Sequence, residues 1–148
     1  MNNYETVIGL EVHCQLKTNT KVWCSCNSDY DHEKPNMSTC PICTGQPGAL
    51  PKLNEKVLDY AIKAALALEC DINSESQFDR KNYFYPDSPK NYQITQYFKP
   101  YAENGKLHIV TNSGKKSIVG IERIQIEEDT AKSIHTESET LLNYNRAS

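Results

Sequence analysis

From residue 4 to residue 16 apolar and polar positions alternate, with Leu10, Val12, Cys14 and Leu16 on one side and Gly9, Glu11, His13 and Gln15 on the other. Successive side chains of a strand point to opposite faces, so this period predicts a strand that holds Glu11 and His13 together on its polar face. Such a pair is either solvated or a pair of metal or acid–base ligands. Residues 17–53 show no long apolar period. Residues 54–70 show a helical one: Val57, Ala61, Ala64 or Ala65, and Leu68 make a stripe that Leu58, Ile62 and Leu66 widen. Asn54 is a good N-cap, and Glu55 suits the positive end of the helix dipole. The alanines allow this helix to approach a sheet closely. Glu103-Asn104-Gly105-Lys106 is a turn signal. It is followed by a strand over 107–111, a hairpin turn at Asn112-Ser113-Gly114, and a return strand over 116–127. In the return strand Ile124 and Ile126 share a face, and Arg123, Gln125 and Glu127 lie on the other. These elements predict an α+β fold, mostly antiparallel sheet with one packed helix.

The segment without an apolar period carries Cys24-Ser25-Cys26 and Cys40-Pro41-Ile42-Cys43. Two thiol pairs of this kind can close a tetrahedral zinc site with no open position, which makes the ion structural rather than catalytic. Pro41 and Gly45 suit the tight turn of a zinc knuckle, here an insertion over about 20–46. Metal ligation then replaces the hydrophobic core that the segment lacks. The alternative is free or redox-active cysteine. Cys14 and Cys70 read as small apolar residues, and His32 as a bystander.

Phe78 to Gln96 is too polar for a core strand and too aromatic for a disordered loop. Pro86 and Pro89 fix a turn at Asp87-Ser88, and the rings of Tyr83, Phe84, Tyr85 and Tyr92 sit among Arg80, Lys81 and Lys90. We read it as a stiff loop that presents side chains. Farther on, Glu127-Glu128-Asp129 ends the return strand with three adjacent acids. Their mutual repulsion destabilises the fold unless a cation or basic groups meet them. The bland reading is a solvated loop. The sharp one is a divalent-cation site shared with Glu11 and His13.

Composition narrows the function classes. The 148 residues suit one domain or a piece of a larger protein, and the net charge of −3 argues against a chain whose whole surface binds nucleic acid. No apolar run approaches the length of a membrane span, and the N-terminal Met1-Asn2-Asn3-Tyr4-Glu5 lacks the regions of a signal peptide. The expected location is cytoplasmic, or organellar in a eukaryote. No glycine-rich phosphate loop is present, so any nucleotide binds by another architecture.

The segments Ile8–His13, Phe78–Asp87, Tyr92–Gln96 and Glu127–Asp129 resemble the B subunits of the aspartyl/glutamyl-tRNA amidotransferases. Pro47-Gly48-Ala49-Leu50-Pro51 and Asn143-Tyr144-Asn145-Arg146 fit as well. The resemblance runs from the first strand to the last residue. It implies a catalytic domain shaped as a cradle like that of glutamine synthetase, of which residues 1–148 are the N-terminal part. It implies ATP-dependent phosphorylation of the side-chain carboxylate on misacylated Glu-tRNA(Gln) or Asp-tRNA(Asn). Ammonia from the amidase, the A subunit of such enzymes, then completes the amide, and a small C subunit makes up the heterotrimer. By motif match, Glu11, His13, Glu127 and Glu128 become magnesium ligands, Glu128 the less secure because alternation puts it across the sheet from Glu127. Arg80, Lys81 and Lys90 become phosphate contacts, with Tyr83, Tyr85, Tyr92 and Gln93 lining the pocket. For each basic residue by itself a plain surface role stays open. Cys24, Cys26, Cys40 and Cys43 match the zinc-bearing members. The family's helical and tRNA-binding tail domains are absent, so the chain is expected to be an N-terminal fragment. Two rival readings remain: a non-catalytic zinc module that binds RNA or protein, and a metal-dependent kinase or ligase acting on a small carboxylate.

Overall fold

In a computed structural model, residues 4–148 are described. Met1, Asn2 and Asn3, on which the signal-peptide reading partly rests, lie outside them. One helix, α1 (Glu55–Ala67), is followed by seven strands: β1 (Asp71–Ile72), β2 (Asp79–Asn82), β3 (Tyr92–Thr95), β4 (Ala102–Val110), β5 (Lys116–Ile124), β6 (Lys132–His135) and β7 (Thr140–Asn143). All pairings are antiparallel: β1-β4-β5 form one sheet, and β2-β3 and β6-β7 are two-stranded ribbons. The fold is α+β, as the residue pattern predicts.

The helix begins where the sequence places it, with the Asn54 side chain accepting from the Lys56 amide at 2.9 Å. It ends at Ala67, short of the expected Cys70, because Glu69 turns left-handed at φ 53°. Its buried face is narrow. Val57, Ala61 and Ala65 pack with Cys70, Tyr101, Ala102 and Ile126, while Leu58 and Leu66 of the expected wider stripe stay exposed. Tyr101 donates its hydroxyl to Ala61 O at 3.1 Å, and burial pushes that phenol up to about 12.

Four expectations need correction. First, residues 4–16 form no strand among the described residues, and Leu10 and Val12 are 83% and 85% exposed. Alternation predicts a face ready for burial, but a strand exists only when a neighbour accepts its backbone bonds. Leu16 alone of the apolar side packs against the core. Second, residues 103–106 make no turn: β4 runs through them in constant register, Glu103 opposite Arg123 and Gly105 opposite Ile121. Asn104 and Gly105 mark a close approach instead. A Cβ on Gly105 would meet the Cys70 sulfur, and Lys106 N–H donates to Leu68 O at 2.7 Å, tying the helix end to the sheet. Third, Phe78–Gln96 is a hairpin, with Arg80 opposite Ile94 and Asn82 opposite Tyr92, and only its loop is irregular. Asp79 anchors the far end by accepting from the amides of Tyr97 and Phe98 at 2.8 and 3.2 Å. Fourth, β5 stops at Ile124 rather than Glu127, which changes where the acids point.

Candidate functional site

The irregular segment before α1 is organised by its thiols. The sulfurs of Cys24, Cys26, Cys40 and Cys43 all lie within 4.8 Å of one another, and they are the one group of three or more metal-type ligands among the described residues. Ala147 is buried with Cys24 and Cys43, and Tyr144 packs against them. The turn at 40–45 is held by Thr44 N–H to Cys40 O (3.0 Å) and Gly45 N–H to Ile42 O (3.0 Å). The Cys40 amide donates to Cys43 Sγ at 3.0 Å. A tetrahedral ion with metal–sulfur bonds of about 2.3 Å separates its sulfurs by about 3.8 Å. The Cys40 and Cys43 sulfurs are 3.7 Å apart. The Cys43 thiol beside Cys24 pulls Cys24 down to about 4, and the same contact pushes Cys43 up. The donor set fits a structural thiophilic ion such as zinc.

The knuckle touches the aromatic–basic hairpin. Gly45, at φ 67°, lies so close to Pro89 and Lys90 that a Cβ there would sit 2.8 Å from the Pro89 carbonyl carbon. Both the left-handed backbone and the contact require glycine. Gly45→Ala should therefore cost about 2–4 kcal/mol, from backbone strain plus overpacking. Urea unfolding of the full-length protein checks this, and a loss below about 0.5 kcal/mol would show that the contact is slack.

Lys90 does not reach into solvent. Its ammonium pairs with the Glu128 carboxylate, the two side chains being only 7% and 6% exposed. The other Glu128 oxygen accepts from the Ile94 amide at 2.9 Å, and Glu128 N–H returns a bond to Ile94 O at 2.9 Å. Glu127 accepts from Gln93 Nε2 (3.1 Å) and Thr95 Oγ1 (2.8 Å). Asp129 meets Arg146 at 3.6 Å. Basic groups and donors thus meet all three acids. Since β5 has already ended, alternation no longer separates Glu127 from Glu128, and both carboxylates face β3.

The other predicted residues divide. Arg80 stacks its guanidinium over Tyr92 at 4.6 Å, and Lys90 Nζ lies 5.5 Å from the same ring. Tyr83 and Tyr85 stack at 6.0 Å, while Arg80, Lys81 and Tyr85 are exposed. Glu11 and His13 lie 3.4 Å apart on the exposed stretch. They are not gathered with Glu127 and Glu128 into one ligand set among the described residues, and the oxygens of both acids already have protein partners. These four groups as placed do not fit a magnesium site. A cavity of about 10 Å³ lies against Lys90, Tyr92, Gln93 and Glu128. Nucleotide-sized ligands need on the order of 300 Å³ or more, so these residues form a wall and not a closed pocket.

Two contributors escape a reading of the sequence. Arg146 donates to Thr130 O (2.8 Å) and Ala131 O (3.1 Å), clamping the acidic end. Asn145 accepts from Ser38 N–H (2.9 Å) and donates to Lys34 O (2.8 Å), tying the last residues to the knuckle. The motif at 143–146 is a signal, but nothing in it says what it touches.

Comparison with known proteins agrees with the motifs. A family model described as the GatB/GatE catalytic domain matches residues 6–148. A protein of Fusobacterium nucleatum, named as the B subunit of an aspartyl/glutamyl-tRNA(Asn/Gln) amidotransferase, is 68% identical over the whole chain. Proteins of the same name from Clostridium tetani and Clostridium kluyveri are 57% and 56% identical over 98% and 97% of it. The chain spans only 31% of the length of the first and 30% of the other two. No helix among the described residues is long and apolar enough to cross a membrane. With the match running from residue 6 to the last residue and the motifs in place, the chain belongs to the GatB/GatE catalytic-domain family.

Proposed function

We propose that this chain is the N-terminal part of the catalytic cradle of an ATP-dependent amidotransferase that corrects Glu-tRNA(Gln) or Asp-tRNA(Asn). The observation that carries the reading is the family match over residues 6–148. A side-chain carboxylate oxygen attacks the γ-phosphorus of ATP, and ADP leaves. The resulting acyl phosphate carries a good leaving group where the free carboxylate had none. Ammonia, released from glutamine by an amidase partner (the A subunit), attacks the carbonyl carbon. Phosphate departs with the original carboxylate oxygen, and the amide remains. A small C subunit completes the heterotrimer, and the assembly works in the cytoplasm.

In this reading the residues here contribute positioning and charge neutralisation, which dominate phosphoryl transfer. Arg80 and Lys81 are exposed and free to meet phosphate oxygens, with Tyr83, Tyr85, Tyr92 and Gln93 beside them. Lys90 acts differently from Arg80 and Lys81: it holds Glu128 in place. The four thiols hold a structural zinc ion that fixes the turn under Pro89 and Lys90.

A non-catalytic zinc module is the second reading, favoured by the small cavity at the wall. ATP hydrolysis by the full-length complex separates the readings. It should require misacylated tRNA and respond little to free glutamate. Equal stimulation by free glutamate would point to a small-carboxylate ligase, and no hydrolysis under any condition to the non-catalytic module.

A further inference from the structure

Lys21 is 4% exposed, and among the described residues no carboxylate pairs with it. Its ammonium donates to Ser38 O and Ala147 O, both at 2.9 Å, and to Tyr144 O at 3.5 Å. Carbonyl dipoles solvate a buried ammonium but do not neutralise it, and an uncompensated buried charge is costly. The source of negative charge lies next to it. Ala147 and Tyr144, which supply two of the three carbonyls, pack with Cys24 and Cys43. The Lys21 amide also donates to Cys26 O at 3.0 Å, so main chain and side chain both border the thiol cluster. A divalent ion held by four thiolates carries a net charge of about −2. The Lys21 ammonium borders that charge through the carbonyls of Ala147 and Tyr144, the two residues packed on the thiols.

We propose that Lys21 is the counter-cation of the four-thiolate centre, a positioning residue that raises its metal affinity and pins the 144–147 segment to it. The proposal rests on the reading that the four thiols hold a zinc-like ion. Its consequence reaches the acidic segment at 127–129. The pinned segment carries Arg146, which clamps Thr130 and Ala131 beside Asp129. Charge at the metal and order at the acidic end are therefore linked through one ammonium.

The test compares Lys21→Gln, Lys21→Met and Lys21→Arg in the full-length protein, with Zn²⁺ affinity read by competition against a chromophoric chelator. Glutamine keeps donors for the carbonyls but not the charge. Glutamine and methionine should both weaken Zn²⁺ binding, by about 10- to 100-fold, as loss of groups just outside a metal's ligands does. Arginine should restore most of the affinity. The thiolate-to-metal band of the Co²⁺-substituted variants should still report four sulfur ligands. Wild-type affinity in Lys21→Gln would overturn the proposal, because the donors and not the charge would then matter. If the variants do not fold, acylation of Lys21 in the wild-type protein decides. The amine should be shielded with Zn²⁺ bound and become reactive after chelation, and equal reactivity in both states would overturn the proposal. Wild-type protein that binds no thiophilic metal would sink the metal reading itself, and the inference with it.

Discussion

Serine at both Cys40 and Cys43 should unfold residues 17–53 while leaving Glu55–Ala67 helical. The segment owns little core of its own, since its thiols pack chiefly with one another and with Ala147. Structural zinc contributes on the order of 10 kcal/mol to segments of this kind, more than the other contacts of the segment can replace. The helix keeps a separate support, because Val57, Ala61 and Ala65 pack on Tyr101, Ala102 and Ile126. Its first turn should fray, as Asn54 N–H donates to Val22 O at 2.9 Å and the Asn54 amide donates to Thr20 Oγ1 at 2.9 Å. Limited proteolysis of the full-length protein reads both effects. Cleavage should appear within 17–53 and, because Gly45 seats Pro89 and Lys90, also within the hairpin loop at 83–91. Chelation of the wild type should reproduce the pattern. An unchanged digest would rule out a structural metal in this segment.

Lys90→Ala is the second large effect, and it is one of stability before binding. Removing one partner of a buried ion pair leaves the other charge uncompensated, at a cost of about 3–5 kcal/mol. Glu128 is the partner left behind, with one oxygen still on the Ile94 amide. Combining Lys90→Met with Glu128→Gln should recover much of the loss, since the amide oxygen can still accept from Ile94 and no bare charge remains. Urea unfolding of the single and double variants measures the coupling. A loss under about 0.5 kcal/mol for Lys90→Ala would class the residue with ordinary surface groups.

What is legible in the sequence depends on whether a signal is local. The helix cap at Asn54, the hairpin turn near Gly114 and the thiol cluster are legible, because short spacings determine them. The pairing within the aromatic stretch is not. Its polar composition hides the β2–β3 ladder, and the acid that meets Gln93 and Thr95 lies far along the chain. Thr95 and Gln93 look like solvated strand residues until Glu127 is beside them. Lys90 reads as a phosphate contact for the same reason: its charge is visible in the sequence, and its burial against Glu128 is not. The alternation over 4–16 has the period of a strand. Pairing is a long-range property, and no neighbour takes that stretch up among the described residues. The β6–β7 ribbon has too short a period to register.

Phosphorylation of a carboxylate before ammonia attacks it is the central step of the proposed activity. Misacylated tRNA whose glutamyl side-chain carboxylate carries ¹⁸O tests that step in the full-length complex, supplied with ATP and glutamine. One ¹⁸O should appear in each phosphate released during amidation. Amide formed with unlabelled phosphate would contradict it.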